Sequence, residues 1–155
     1  MQLGRIIGLD DTQTRQRIEE WARRTGVAFH GRIRDTEQRS FATASQENFY
    51  DQLEKGFECS GGLVEVAVKV QTFLPTAIQA QLRLYIDDEI VDTAGDLGEE
   101  VDRVPLEFVG KLNAGKHTVR VAEEHSSGTI NFNQDGSTTG SYGSSTLSIV
   151  EHLGV

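Results

Sequence analysis

Two dipeptides, Glu124-His125 and Glu151-His152, each join a carboxylate to an imidazole, the ligand types that hold a divalent metal. Both close segments in which apolar and polar residues alternate, so both fall at strand ends. Neighbours on a strand point to opposite faces, and neither pair is therefore expected to chelate by itself. Asp87, Asp88, Glu89 and Asp92 offer oxygen ligands for calcium, but the D-x-[DN]-x-[DN]-G spacing of an EF-hand is absent. Acids at a hairpin tip are ordinary turn chemistry, and the acidic stretch from Asp96 to Asp102 reads the same way. For hydrolysis, no G-x-S-x-G elbow is present, and Ser60 in Cys-Ser-Gly-Gly has no base supplied by its surroundings in sequence. Carboxylates are plentiful, but the spacing that glycoside cleavage needs is a three-dimensional property. The expectation is a protein with no catalytic centre, no cofactor and no metal.

Recognition chemistry is more visible. The single tryptophan, Trp21, lies in Asp11 to Arg24, DTQTRQRIEEWARR, where a capping Asp or Thr, strong helix formers and a following Gly26 predict a helix. Its apolar stripe is narrow, only Ile18, Trp21 and Ala22, which suits a contact with another surface better than a broad core. A large aromatic flanked by Arg17, Arg23 and Arg24 has the composition of an interface centre. The alternative is that Trp21 packs on the protein's own body. The segment Val27 to Gln46, including Arg32 and Arg34, has no sustained period and reads as an extended arm or linker. Tyr142, in a Gly/Ser/Thr-rich loop, is a second candidate contact, suited to a sugar or a protein receptor.

These residues must be carried by a body of about one domain, given 155 residues. Cys59 is the only cysteine, so no intrachain disulfide forms, and four scattered histidines do not make a zinc site. No apolar run approaches about 18 residues, and the N-terminus lacks the pattern of a signal peptide, so a protein made in the cytosol without a membrane span is expected. The net charge of -9 argues against general nucleic-acid binding. Charge is uneven, however. Residues 1–35 hold seven arginines against five acids, a surplus of two positive charges, so the rest of the chain carries -11. Such asymmetry marks either a solvated helix face or an arm that docks on an acidic surface.

Phe49, Tyr50 and Leu53 begin the globular body, and after Gly61-Gly62 the period becomes two. In LVEVAVKVQTF, Val64, Val66, Val68 and Val70 share one face while Glu65 and Lys69 share the other. Leu82, Leu84 and Ile86 repeat the pattern ahead of a hairpin turn at Asp87-Asp88, whose type is left open because positive φ suits glycine better than aspartate. VPLEFVG, then a turn at Asn113-Ala114-Gly115-Lys116, then a strand with Val119 and Val121 buried and Thr118, Arg120 and Glu123 outside or at an interface continue the series. Ile130 with Phe132, and Leu147 with Ile149, supply the last strands. At least seven strands with no helix between them predict a mainly β, antiparallel jelly-roll sandwich over 47–155, preceded by an N-terminal α-helix and anchoring arm over 1–46.

The order LRLYIDDEIVDT, VPLEFVGKL, LNAGKHTVRV, a glycine-rich segment and a final STLSIVEH resembles the tumour-necrosis-factor-like jelly-roll modules of bacteriophage virions, over roughly Phe57 to Leu153. The resemblance implies a non-enzymatic homotrimer in the virion, as a capsid decoration (cement), head-fibre or tail-fibre protein. The partner would be the major capsid protein or another virion protein, held through Arg15, Ile18, Trp21, Arg23, Arg24, Arg32 and Arg34, with neither nucleic acid nor membrane bound. Decoration is favoured because a chain this short has no coiled-coil or repeat shaft to give reach. The other readings are a tail-fibre or tail-adaptor receptor-binding protein, with contacts at Tyr142, and a carbohydrate-binding β-sandwich. The last normally needs an aromatic platform, and the body offers only Tyr50, Tyr85 and Tyr142 and no tryptophan.

Overall fold

The computed structural model describes residues 12–13, 15–17, 20, 26–74, 78–95, 100–133 and 143–153. Eleven strands are present among them: β1 (Val27–Asp35), β2 (Arg39–Phe41), β3 (Asn48–Phe49), β4 (Lys55–Cys59), β5 (Leu63–Leu74), β6 (Ala80–Ile86), β7 (Glu89–Ala94), β8 (Glu100–Lys111), β9 (Gly115–His125), β10 (Ile130–Phe132) and β11 (Ser145–His152). A single turn of 3-10 helix, Asp51–Leu53, lies between β3 and β4.

All pairings are antiparallel and they nest. Leaving aside the short β2, β3 and β10, the first strand pairs with the last (β1 with β11), the second with the seventh (β4 with β9), the third with the sixth (β5 with β8) and the fourth with the fifth (β6 with β7). This is one long hairpin wound on itself, the topology of a jelly roll. The first sheet runs β1-β11-β5-β8, with β10 and β2 continuing it beside the distal end of β5; the second runs β7-β6-β9, with β4 and β3 side by side on the other edge of β9.

Alternation in sequence becomes two-sidedness in space. Val64, Val66, Val68 and Val70 of β5 are buried while Glu65, Ala67 and Lys69 are exposed. They meet Leu147 and Ile149 of β11, Val104 and Leu106 of β8, Leu82, Leu84 and Ile86 of β6, and Val119 and Val121 of β9 in one core. Pro105, which has no N–H to donate, stands on β8, an edge strand of the first sheet. The hairpin turn is settled: Asp87 and Asp88 both have positive φ, 51° and 67°, as a type I′ turn requires.

The stretch expected as an extended arm belongs to the sandwich. Val27–Asp35 is strand β1, paired along its length with the terminal strand β11, and Arg39–Phe41 pairs with β10. A boundary at residue 46 therefore cuts through the first sheet. The period was hidden by a bulge between Phe29 and Gly31, where His30 is the extra residue, and by the buried acid Asp35 at an inward position. Arg32 and Arg34 lie on the exposed face of β1. Of the expected N-terminal helix, Thr12, Gln13, Arg15, Gln16, Arg17 and Glu20 have helical backbone; Ile18, Trp21, Arg23 and Arg24 lie outside the described residues, as does Tyr142. Glu123, expected outside or at an interface, points into the core of the single chain and is fully buried.

Candidate functional site

Each of the four histidines sits against a carboxylate, and none against the acid beside it in sequence. His30 meets Glu151 at 2.8 Å, His125 meets Glu123 at 2.8 Å, His152 meets Glu65 at 2.8 Å, and His117 bonds Asp87. The two Glu-His dipeptides split as strand geometry requires: Glu151 and His125 face inward, His152 and Glu124 outward. No group of three or more His, Cys, Asp or Glu side chains is arranged to hold a metal ion among the described residues.

Glu151 is fully buried, and the Cys-Ser-Gly-Gly turn is shaped around it. The Ser60 N–H donates to both carboxylate oxygens at 3.1 and 3.0 Å, the Gly62 N–H donates at 2.8 Å, and the Cys59 thiol lies 3.6 Å away. A Cβ on Gly62 would stand 2.5 Å from the His152 carbonyl and 2.8 Å from Glu151 Oε2, so the turn demands glycine there. Burial opposes the charge on Glu151, but the bonds from His30, Ser60, Gly62 and Cys59 outweigh it and hold its pKa below the usual carboxylate value. Burial pushes the Cys59 thiol upward, away from the thiolate a nucleophile needs. Ser60 acts here through its backbone.

A second polar cluster closes the opposite end of the first sheet. Tyr50 donates to Asp35, Asn133 Nδ2 donates to the Tyr50 hydroxyl at 2.8 Å and to the Glu37 carbonyl at 2.8 Å, and Ser145 donates to Asn133 Oδ1 at 2.6 Å. Burial disfavours the charge on Asp35, yet bonds from Arg39, Tyr50 and the Glu37 N–H keep its pKa low. Burial and the same acid raise the Tyr50 phenol. This cluster is satisfied internally and serves to seat Asp35 of β1.

The His117–Asp87 pair lies at the hairpin turn. His117 Nδ1 bonds Asp87 and its Nε2 lies 2.6 Å from the Asn113 carbonyl, so both ring nitrogens donate and the imidazolium is favoured. The Asn113 carbonyl and Asp87 together raise its pKa above 6.5. Because the folded value is the higher one, this contribution to stability is complete below pH 6.5 and is lost as the pH rises through the folded pKa. Chemical denaturation of the parent and of Asp87→Asn between pH 5.5 and 8.5 should show the difference in stability shrinking with rising pH; a constant difference would remove the imidazolium from the account.

Two outer faces remain as interaction surfaces. On the first sheet the registers align Phe29, Val150, Glu65 and Val109 in one row across β1, β11, β5 and β8. Phe29 is 52% and Val109 59% exposed. Val27, His152, Leu63 and the exposed Lys111 form the row on one side, where His152 bonds Glu65, while Arg32, Ser148, Ala67 and Glu107 form the row on the other. On the second sheet, Phe49 and Tyr85 lie with ring centroids 5.5 Å apart and the Arg120 guanidinium sits 3.6 Å over the Phe49 ring. Arg83 bridges Glu47 at 2.6 Å and Glu124 at 2.5 Å, and Tyr85 donates to Glu47 at 2.5 Å. Beyond Glu124 the face opens into a cleft of about 410 Å³ lined by Ser45, Gln79, Ala80, Glu124, His125 and Ser126. The aromatic pairing of Phe49 with Tyr85 escaped sequence reading, because a two-residue strand at Asn48–Phe49 carries no period to detect.

No protein-family profile and no curated protein matches the sequence. Among solved structures, the C-terminal domain of EclA, a sugar-binding protein, is similar with a TM-score of 0.50 and 14% identity, covering 74% of this chain and 78% of that one. The CBM36-1 domain of a multidomain xylanase from the hindgut metagenome of Trinervitermes trinervoides has a TM-score of 0.46 and 10% identity, covering 83% and 99%. The chain of T=1 particles derived from infectious bursal virus has a TM-score of 0.47 and 11% identity, covering 82% of this chain and 36% of that one. At such identities the EclA likeness is one of fold, a β-sandwich. No helix is long and apolar enough to cross a membrane among the described residues.

Proposed function

We propose that this β-sandwich is a non-enzymatic structural module of a bacteriophage virion that assembles as a homotrimer through the outer face of its first sheet. The observation that carries the reading is the row Phe29, Val150, Glu65, Val109: two of the three large hydrophobic residues exposed among the described ones share one row of one pleated face. Exposed apolar side chains flanking a polar pair on one sheet face are the kind of surface an assembly contact buries. The nested strand order agrees with the jelly-roll modules that LRLYIDDEIVDT, VPLEFVGKL and LNAGKHTVRV resemble. Residues before Gly26, with Trp21 and its arginines, then serve to dock on the major capsid protein or another virion protein, three weak anchors acting together on a symmetric lattice. Capsid decoration is the position we favour.

Light scattering tests the assembly. The full chain is expected at the mass of three 17.1-kDa chains, and a Phe29→Asp/Val109→Asp variant at the mass of one, with unchanged circular dichroism. A monomeric parent, or a variant that stays trimeric, overturns the contact. Removing residues 1–25 should leave the oligomer intact and abolish binding to particles.

A further inference from the structure

We propose that the cleft at the end of the second sheet, between Gln79–Ala80 and Glu124–Ser126, is a binding site for a neutral glycan. Its floor is fixed before any ligand arrives. The Ser45 N–H donates to the His125 carbonyl at 2.7 Å, the Ser126 N–H to the Gln79 carbonyl at 2.9 Å, and the Gln79 N–H to Ser126 Oγ at 3.1 Å. Beneath, His125 is fully buried and held from both sides, Nδ1 by Glu123 and Nε2 by the Gly128 carbonyl at 2.9 Å. With both ring nitrogens held, the imidazole cannot turn and the floor keeps its shape. A preformed site spends little binding energy on ordering itself.

The lining suits vicinal hydroxyls. Ser126 Oγ already accepts a bond, so its proton is free to be donated to a ligand, while Ser45 Oγ donates to the Ser126 carbonyl at 3.4 Å and has lone pairs to accept. The Gln79 carboxamide both donates and accepts, and Glu124 adds an acceptor held in place by Arg83. From Glu124 a chain of contacts runs through Arg83 to Glu47 along the outer side of the second sheet. The other ligand classes fit less well. Arg83 is committed to two carboxylates, which leaves this strip net negative and unfavourable to phosphate, and a lining of hydroxyl, amide and carboxylate groups gives an acyl chain nothing to pack on. A volume of about 410 Å³ lies within the range of small-ligand sites. The cleft is on the sheet opposite Phe29 and Val109, so it is open whether the chain is single or assembled.

The test is a titration of the isotope-labelled full chain, followed by NMR, with soluble oligosaccharides of glucose, galactose, xylose and N-acetylglucosamine. At least one is expected to shift the amides of Ala80, Glu124, His125 and Ser126 saturably. Gln79→Ala should weaken that binding roughly three- to tenfold, the loss of one ordinary hydrogen bond. Phe29→Asp/Val109→Asp should leave it unchanged. Absence of shifts with every sugar, or binding indifferent to Gln79→Ala, overturns the site. A monomeric mass for the parent protein would overturn the assembly reading and leave this one standing.

Discussion

Glu151→Ala is expected to destabilise the fold by about 3–5 kcal/mol, because it removes one partner of a buried ionic and hydrogen-bonded set and leaves the others without compensation. The Ser60 and Gly62 N–H groups and the His30 ring would all lose their acceptor at once. For a chain of this size that corresponds to a fall of roughly 6–20 °C in the unfolding midpoint. Glu151→Gln keeps the shape but lacks the charge, and it isolates the ionic part. Since the pKa of Glu151 is lowered by folding, its charge contributes fully above pH 4.5, and the contribution is lost as the pH falls through the folded value. The gap between parent and Glu151→Gln should therefore close on acidification. Thermal melts of the three proteins at neutral and acid pH decide the matter; a small loss in Glu151→Ala would mean that the turn finds other acceptors.

A chain beginning at Gln46 is expected not to fold, whereas one beginning at Gly26 should melt cooperatively like the parent. The shorter form loses β1 and β2, and with β1 the edge partner of β11 from Ser145 to His152. It also loses Asp35, leaving Tyr50 and Asn133 with a buried polar cluster missing its anion. The longer form retains both sheets and the core, and keeps the bond from the Leu153 N–H to the Gly26 carbonyl that ties the two chain ends of the sheet together. Circular dichroism melts and the dispersion of one-dimensional NMR spectra separate the outcomes. A well-dispersed spectrum from the Gln46 form would show that β1 is dispensable, and the body would then be divisible after all.

Both expectations turn on residues at which a polar group occupies an inward position. Asp35, Glu123, Asn133 and Glu151 are all buried, and each is paired within the fold. Such groups specify register rather than add net burial energy, since a slip of one residue along β1 or β11 would place Asp35 or Glu151 opposite the wrong partners. The candidate surfaces are correspondingly simple: a row with exposed Phe29 and Val109 on the first sheet and a polar cleft on the second, each on the solvent side of strands whose inner sides are held in register from within.

What the amino-acid sequence determined by itself was the set of properties with a local period. Val64 to Val70, Leu82 to Ile86, Val119 with Val121 and Leu147 with Ile149 alternate, and alternation alone separates a buried from an exposed face. The two-residue turn at Asp87-Asp88 was equally legible, because turn chemistry acts over four residues. Strand β1 was not, since a single bulge residue, His30, inverts the phase midway and Asp35 supplies a charge where the pattern expects a hydrophobe. The partners of His30, His117 and His152 were also beyond reach: His30 and Glu151 are separated by 121 residues, and they meet only because the first and last strands of the wound hairpin lie side by side. The same holds for the Phe29–Val109 row and for the cleft, each assembled from strands distant in sequence. Tertiary structure decided these features because the register between remote strands is set by the whole nested set of pairings, and no window along the chain contains it.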